Sequence, residues 1–433
     1  MRLTGKHRIT TGKQRMAVAA AGAVAAVALT QIVPSAFGSG NSGTKAAAPA
    51  DASSDHVDAG ISATDGTVFR GGVMTLGAAP AHPRAAAVAA AKGPAQGPGW
   101  QVSDGVTKSL STGYTLKFYD RQAVNWLAPY VKRTATELAR STGLPISVDT
   151  TPVGWDHARL KGEIIMGVLK RPCVPNPDSP SKGWKIVRDG SGTANLSCGF
   201  ASSSVPDTVT SGHAYIDSEF FTSAGKPAPS WGGETFMRNH ISHEIGHTMG
   251  LVHAVRSAAR GDCVQGQDSG EKPVMCTNTV PGYNDSRAGE YVQQFDVQGL
   301  RYLAANAGAA VPPQGRVTGL GGKCLDVKGA KAANGTQIQI YKCNGTAAQS
   351  WILEKNGEIR ALGKCLDADG SKVDLRDCDG KSTQRWSVNA KKQIVSAASH
   401  KVLDVTGGKT ADGTKVQLYP ANTNKRQLWT APK

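Results

Sequence analysis

The sequence predicts an α+β domain followed by an all-β domain with threefold repetition. The first observation is a histidine-rich helical motif within residues 239–253, preceded by stretches that alternate between strand and helix patterns. The second is a C-terminal run of three similar segments of about 40 residues each. The chain has 433 residues, which is enough for two or three domains with buried cores. Its 51 glycines and its alanine-rich patches also indicate flexible segments.

The N-terminal stretch, residues 1–38, is typical of a secretory signal peptide. Its first 15 residues carry five bases and no acid, and residues 16–33 carry no charge. Ala36-Phe37-Gly38 offers the small residues that a signal peptidase reads. The alternative is an uncleaved membrane anchor, since the run is long enough to span a bilayer, although it is alanine-rich and weakly hydrophobic. We expect cleavage near residue 38, secretion to an extracellular location, and no stable membrane insertion afterwards.

Residues 39–99 are mostly alanine, glycine, serine and proline, with few large apolar side chains. Such a composition cannot form a core of its own. We predict a disordered linker or a pro-segment that is removed.

The first folded domain is predicted at residues 100–307. Strand patterns occur at Tyr114–Tyr119, Ile146–Val148 and Glu163–Leu169. A helix follows Asp120 as its N-cap and ends at Gly143. A last helix, with Asp296 as its N-cap, closes the domain near Asn306.

The histidine motif predicts a zinc site. His243 and His247 are four residues apart, so on a helix they lie on one face and can each direct a nitrogen at a common ion. A third ligand, His253, requires the helix to stop, and Gly250 permits the turn. Three histidine ligands leave a fourth position open, as in catalytic zinc sites. Glu244 is placed to act as general base on a zinc-bound water.

A chance match on an ordinary amphipathic helix is the alternative to a zinc site. Five fixed positions make such a match improbable, on the order of one in 10^5 for a chain of this length. With His243, Glu244, His247, Gly250 and His253 in place, the motif HExxHxxGxxH is complete, and the stretch resembles the metzincin metallopeptidases. The resemblance implies a zinc-dependent endopeptidase that hydrolyses peptide bonds in a protein or peptide substrate.

The resemblance also implies roles for residues outside the motif. Met275, within Pro273–Cys276, would form a methionine turn beneath the metal. Tyr283 would replace the transition-state tyrosine that several branches carry at the position of Thr277. The stretch 213–217 would be the antiparallel edge strand that pairs with substrate, while His213 and His240 would not be ligands. Because a secreted peptidase needs restraint before export, we favour a pro-segment over a linker for residues 39–99.

The C-terminal repeats follow a proline-stiffened linker at residues 308–315. Each repeat in residues 316–433 pairs a Cys-Leu-Asp or Val-Leu-Asp motif with a Gln-x-Trp motif; the tryptophans are Trp351, Trp386 and Trp429. The pattern resembles the ricin B-type β-trefoil lectins, which implies carbohydrate binding. A trefoil that has lost sugar binding is the alternative.

The resemblance implies two sugar pockets, in the first and third repeats. The first repeat supplies Asp326, Gln339, Tyr341 and Asn344, and the third supplies Asp404, Gln417, Tyr419 and Asn422. The aromatic ring would stack on a sugar while the polar groups bind its hydroxyls. The second repeat has Asp374 and Arg376 in place of the glutamine and the ring. We expect two weak sites that act together on a polymeric glycan.

Eight cysteines behind an export signal predict four disulfides. Sequence proximity and the corresponding repeat positions favour neighbouring pairs, although other connectivities stay open in the first domain; the pairs are Cys173 with Cys198, Cys263 with Cys276, Cys324 with Cys343, and Cys365 with Cys378. The second of these pairs would brace the turn at Met275.

The net charge of +16 is concentrated in the trefoil, where residues 313–433 hold 20 bases and 10 acids. A basic surface attracts anionic polymers, so the glycans of a polysaccharide or glycoprotein partner could be acidic. No motif indicates nucleic-acid binding. We expect a monomeric, secreted zinc endopeptidase that the trefoil directs to glycans, and the alternative is a carbohydrate-binding protein whose protease-like domain is inactive.

Overall fold

A computed structural model describes residues 67–69, 73–75, 95–175, 184–254, 262–266, 270–276 and 282–433. All of them belong to one compact unit, Ser53–Lys433. The predicted signal peptide at residues 1–38 and Thr277 lie outside the described residues. Within the described ranges, every helix is too short or too polar to cross a membrane.

The first half of the described chain is a mixed sheet with helices. Its strands are β1 (Thr67–Phe69), β2 (Val73–Thr75), β3 (Gln96–Gly97), β4 (Trp100–Gln101), β5 (Tyr114–Phe118), β6 (Ile146–Pro152), β7 (Glu163–Leu169), β8 (Cys173–Pro175), β9 (Trp184–Ile186), β10 (Leu196–Ser203) and β11 (Ser211–Asp217). Its α-helices are α1 (Arg121–Thr142), α2 (Gly233–Thr248) and α3 (Asp296–Asn306).

The main sheet has the strand order β1-β10-β11-β7-β5-β6, with β2 also paired to β10. Strands β11, β7, β5 and β6 are parallel, whereas β10 runs antiparallel to β11. Every residue of β7 except Leu169 is buried. This pattern is expected of a strand that is covered on both faces.

Helix α1 begins and ends as the sequence predicts. Asp120 accepts a hydrogen bond from the backbone N–H of Ala123 through its side chain, at 2.7 Å. Gly143 then takes the left-handed conformation, with φ of +71°. This conformation lets the chain leave the helix without a Cβ clash.

The predicted cap of α3 is wrong. Asp296 is the first residue of α3, and Phe295 occupies the cap position without a side-chain bond. The Asp296 carboxylate instead accepts hydrogen bonds from the backbone N–H groups of Val274, Met275 and Val292, at 2.8 to 3.0 Å. A buried carboxylate needs such donors, and the methionine turn supplies two of them.

The predicted edge strand is also wrong. Strand β11, which contains residues 213–217, lies between β10 and β7 and is not an edge. The antiparallel strand beyond it is β10, with the sequence LSCGFASS. Serine and glycine have low strand propensity, so the sequence does not indicate this strand, and its pairing with neighbouring strands defines it.

Residues 39–99 are not wholly without structure. β1 and β2 both pair antiparallel with β10, in the registers Phe69 to Ala201 and Val73 to Cys198. Backbone hydrogen bonds to an existing sheet edge order a segment that has no core of its own, which is why composition misleads here.

The C-terminal half folds as a trefoil of short strands. These are β12 (Gln314–Gly315), β13 (Cys324–Val327), β14 (Thr336–Tyr341), β15 (Trp351–Leu353), β16 (Ile359–Ala361), β17 (Lys364–Asp369), β18 (Lys372–Arg376), β19 (Trp386–Val388), β20 (Ile394–Ser396), β21 (Val402–Val405) and β22 (Thr414–Tyr419). The threefold repetition is visible in the core, because the indole N–H groups of Trp351, Trp386 and Trp429 donate to equivalent leucine carbonyls at 2.8, 2.9 and 3.0 Å.

The linker is packed against both halves rather than free. Gln314 and Gly315 pair with β15 of the trefoil. On the other side, the Arg301 guanidinium donates to the carbonyl oxygen of Pro312 at 2.6 Å. Composition predicts a stiff spacer, but it cannot show that neighbouring surfaces satisfy the backbone of this segment.

The disulfide predictions are confirmed. The structure joins Cys173 to Cys198, Cys263 to Cys276, Cys324 to Cys343, and Cys365 to Cys378. The last two occupy equivalent positions in the first and second trefoil repeats. Closing loops of this length stabilises the folded state by a few kcal/mol per bridge.

Candidate metal centre and sugar pockets

Three imidazoles converge at the end of α2. The Nε2 atoms of His243 and His247 are 3.1 Å apart, those of His243 and His253 are 3.1 Å apart, and those of His247 and His253 are 3.3 Å apart. A zinc ion bound at ~2.0–2.1 Å in tetrahedral geometry separates its nitrogen ligands by about 3.4 Å. The donor set and its spacing therefore fit a single zinc ion.

Backbone carbonyls fix the orientation of two of these rings. The Nδ1 atom of His243 lies 2.7 Å from the carbonyl oxygen of Val274, and that of His247 lies 2.8 Å from the carbonyl oxygen of Leu251. A carbonyl only accepts hydrogen bonds, so each Nδ1 carries the proton and each Nε2 presents a lone pair to the centre. Metal-binding histidines are commonly held in this way.

Burial keeps these histidines neutral. It lowers the pKa of His243 to about 4, against an opposing hydrogen bond to the Val274 carbonyl. It also lowers the pKa of His247 well below its usual range, and the neighbouring His243 adds to the effect. Neutral imidazole is the form that binds a metal, so the site is ready for one near neutral pH.

The turn that brings the third histidine into the cluster depends on a glycine. Helix α2 ends at Thr248, and Gly250 has φ of +98°. A Cβ atom there would lie 2.8 Å from a methyl of Val209. Both the backbone conformation and the lack of space therefore require glycine, as the sequence indicates.

The predicted methionine turn packs against α2. A Cβ atom on Gly246 would be 2.4 Å from the Met275 sulfur, so the two are in close contact. The same turn supplies the Val274 carbonyl that orients His243, and Asp296 holds its N–H groups. The sequence identifies Met275 and gives Asp296 only as a helix cap, so the contact of Asp296 with this turn is not predicted.

Glu244, which follows His243 directly on α2, is fully buried. Strand β10 passes directly over this turn of α2, because a Cβ atom on Gly199 would lie 2.2 Å from the Glu244 carbonyl oxygen and 3.0 Å from the His247 Cβ. The sheet edge and the histidine cluster therefore adjoin each other.

Neither of the other two histidines considered as ligands belongs to the cluster. His240 contacts the Ser197 hydroxyl at 2.7 Å, and His213 lies beside Arg159 and the ring of Phe200. Among the described residues, neither histidine belongs to a cluster of three or more side chains that could bind one metal ion. Their predicted exclusion from the metal site fits this arrangement.

Tyr283 does not serve the centre as suggested. Its ring packs against the Arg287 guanidinium, 3.9 Å from the ring centroid, and its hydroxyl accepts from the backbone N–H of Gln293. A Cβ atom on Gly363 of the trefoil would be 3.0 Å from that hydroxyl. The hydroxyl therefore faces the trefoil, which its position in the sequence could not reveal.

The polar residues predicted for a sugar pocket in the first repeat lie together. Gln339 donates to one oxygen of Asp326 at 2.9 Å, and Gln349 donates to the other at 3.0 Å. Gln349 also accepts from the backbone N–H of Asn344. Tyr341 is half-buried at the end of the same strand. The glutamine of the Gln-x-Trp motif thus orients the aspartate, a role that the motif alone does not disclose.

The corresponding residues of the third repeat make the same contacts, and an arginine lies beside them. Gln417 and Gln427 donate to the two oxygens of Asp404, at 3.2 and 2.9 Å. Gln427 also accepts from the backbone N–H of Asn422. Arg426 forms an ion pair with Asp404 at 3.0 Å and lies 5.4 Å from the ring centroid of Tyr419. A guanidinium therefore lines this pocket.

The second repeat offers no equivalent pocket. Its Asp374 pairs with Arg376 at 3.0 Å and with Lys372 at 2.7 Å. Asp367 accepts from the Thr383 hydroxyl at 3.2 Å. No aromatic ring stands at the position of Arg376, so the predicted restriction to two pockets fits the geometry.

Comparison with known proteins identifies the C-terminal region. Residues 313–429 match the family model of the ricin-type beta-trefoil lectin domain. This region is a ricin-type β-trefoil lectin domain. The match covers the repeats and all eight predicted sugar-binding residues, and the lectin domain gives the chain a carbohydrate-binding module.

The curated relatives share only parts of their length with this chain. Serine protease 1 of Rarobacter faecitabidus is 43% identical over 121 residues, which are 26% of this chain and 22% of that protein. Ribosome-inactivating protein SNAI of Sambucus nigra is 32% identical over 120 residues, which are 27% and 20% of the two chains. The serine protease and ribosome-inactivating activities stated in these two names are those of the relatives.

Solved structures share a similar fraction of this chain. The agglutinin from Abrus precatorius is 27% identical, with 28% of this chain and 48% of the agglutinin covered and a TM-score of 0.26. The designed threefold protein ThreeFoil is also 27% identical, with 28% and 98% covered and a TM-score of 0.26.

Proposed function

We propose that this protein is a secreted zinc-dependent endopeptidase of the metzincin type, whose lectin domain holds it on glycans. The observation that carries the proposal is the triangle of Nε2 atoms from His243, His247 and His253, with Glu244 buried beside it. The four disulfides support an oxidising, extracellular location. Protein or peptide substrates and a monomeric state belong to the same proposal.

The three histidines would hold the metal, and zinc when bound lowers the pKa of water and polarises a peptide carbonyl. Glu244 takes a proton from the attacking water as the new carbon–oxygen bond forms. It then gives that proton to the amine nitrogen as the carbon–nitrogen bond breaks. Burial of Glu244 excludes bulk water from this exchange.

Metal content and metal removal test the assignment directly. We expect one zinc ion per chain, and we expect a chelator to abolish casein hydrolysis until zinc is restored. A variant with His247 replaced by alanine should bind no stoichiometric zinc, while His240→Ala should keep it, because His240 bonds Ser197 outside the cluster. A chain that digests casein without bound metal would contradict the proposal.

We also propose that residues 39–94, the part of the predicted segment 39–99 that precedes the β3–β4 hairpin, are a pro-segment that masks the substrate edge. Extended peptides add to exposed sheet edges through backbone hydrogen bonds. The strand next to the histidine cluster is β10, which pairs antiparallel with β1 and β2 and would be the sheet edge without them. The pairing of β1 and β2 with β10 therefore favours a pro-segment over a plain linker.

Truncation tests the pro-segment. We expect a chain that begins at Ala95 to cleave a short peptide at least ~10-fold faster than the chain that begins at Ser39, because its β10 edge is free. A synthetic peptide of residues 67–75 should restore inhibition and compete with substrate, whereas a scrambled peptide should not. Equal activity of the two chains, with residues 39–94 verified intact by mass spectrometry, would refute this part.

For the lectin domain, we propose glycan binding at two pockets. Asp326 and Asp404 are held by glutamines in the same way, and in each case a tyrosine follows two residues after the glutamine on the paired strand. The guanidinium of Arg426 lines the third-repeat pocket and would favour an acidic sugar there. The surplus of bases in residues 313–433 supports the same preference.

A further inference from the structure

We propose that the second trefoil repeat braces the metal helix α2, acting through residues 283–293. The lectin domain would then be part of the scaffold of the candidate metal centre, and not only a module attached to it. The inference concerns the packing of α2, so it holds whether or not the protein is a peptidase.

The first step is the contact between residues 283–293 and α2. Asn239 of α2 donates to the carbonyl oxygen of Tyr283 and accepts from the N–H of Gly289, both at 2.7 Å. The Ser242 hydroxyl donates to the Gly289 carbonyl at 2.7 Å, and the Tyr291 hydroxyl donates to the Ser242 carbonyl at 2.8 Å. Asn239 and Ser242 are fully buried. These bonds therefore fix the helix immediately before its first histidine ligand.

The second step is the contact between the same segment and the trefoil. The Arg287 guanidinium donates to the carbonyl oxygen of Leu362 at 2.6 Å. The Gln293 side chain accepts from the N–H of Gly363 at 3.2 Å and donates to the carbonyl oxygen of Ser350 at 2.9 Å. Residues 283–293 are thus held between α2 on one side and the trefoil on the other.

A glycine allows this close approach. Gly363 has φ of +73°, and a Cβ atom there would lie 3.0 Å from the Tyr283 hydroxyl and 3.1 Å from Cδ of Arg287. The positive φ and the crowding both favour glycine at this turn. The two surfaces consequently meet with no room for a side chain.

The third step is a buried charge network across the contact. Arg360 of the second repeat is only 4% exposed. It forms an ion pair with Glu290 at 2.8 Å and a second, longer one with Glu137 of α1 at 3.9 Å. Burial raises the pKa of Glu290, while Arg140 and Arg133 oppose the rise. Removing one member of such a network leaves the others buried without compensation, which is strongly destabilising. Arg360 therefore stabilises the contact between the two domains only when Glu290 and Glu137 remain beside it.

The repeat that supplies Leu362, Gly363 and Arg360 is the one that lacks a sugar pocket. Its own Asp374 is neutralised by Arg376 and Lys372. The first and third repeats keep their pockets and so remain available to glycan. We infer a division of labour in which the second repeat supplies most of the docking contacts, Ser350 of the first repeat adds one, and the first and third repeats keep the residues proposed to bind sugar.

Hydrogen exchange of the full-length protein tests the brace. Arg360→Ala should raise the exchange rate of α2 amides at least ~10-fold, because local opening of α2 becomes easier once its support is loosened. Arg360→Lys should restore part of the protection, since it keeps a cation near Glu290. The matched control is Arg385→Ala, because Arg385 pairs with Glu358 within the trefoil. This control should leave α2 unchanged.

A milder variant covers the case in which Arg360→Ala does not fold. Gln293→Ala removes the bonds to Gly363 and Ser350 but buries no unpaired charge. It should also speed exchange in α2, while amides of the trefoil core keep their protection. If exchange rises in residues 283–293 but stays at the wild-type rate in α2, the brace is refuted. Since no substrate is involved, failure of the peptidase proposal would leave this result unaffected.

Discussion

Glu244→Ala is expected to lower kcat/KM for peptide substrates by about 10^2- to 10^4-fold, the range typical of a lost general base. Glu244 is fully buried and directly follows His243 on α2, and the proposed mechanism gives it the only proton-accepting role. The histidines that would hold zinc are untouched by the change. Zinc content and the thermal midpoint should therefore stay close to those of the wild type.

The measurement is peptide hydrolysis alongside metal analysis of the same samples. Glu244→Gln is the preferred companion, because it keeps the volume of the buried side chain and removes only the proton acceptor. Glu234→Ala is a suitable control, since Glu234 is a half-exposed acid at the start of the same helix that pairs with Arg238. Full activity in both Glu244 variants would sink the mechanism. Zinc-replete but inactive wild-type protein would instead favour a carbohydrate-binding protein with an inactive protease-like domain.

Replacing both Tyr341 and Tyr419 with alanine should abolish retention on the recognised polysaccharide. Each tyrosine lies on the strand that pairs with the strand of an aspartate held by two glutamines, so loss of the ring removes the proposed apolar platform and leaves those polar contacts in place. A stacking contribution of about 1 to 1.5 kcal/mol per site corresponds to roughly tenfold in affinity. Because two weak sites act by avidity on a polymer, the double change should cost more than either single change.

Arg376→Ala is the matched control for the lectin variants. Arg376 occupies the ring position in the second repeat, and it pairs with Asp374 rather than facing a pocket. Retention should be measured at a salt concentration that screens the basic surface. If the double tyrosine variant is retained like the wild type under those conditions, the trefoil acts as an electrostatic anchor and the pocket assignment fails. Hydrolysis of a soluble peptide should be unchanged in all of these variants.

Local spacing determines the parts of this protein that the sequence predicts well. His243 and His247 share a helix face because they are four residues apart, and Gly250 ends that helix because it adopts a positive φ. The three Gln-x-Trp motifs recur at matching positions, and the cysteines pair with near neighbours. These features depend on a few residues and on short-range geometry, so the sequence alone determines them.

Long-range pairing decided what the sequence could not. The place of β10 between β11 and the short strands β1 and β2, and the role of Asp296, both depend on partners far along the chain. The same holds for Tyr283, whose hydroxyl meets Gly363 of the trefoil rather than the metal site. Strand order and the docking of one domain on another are set by which distant surfaces bury each other, and no local pattern records that choice.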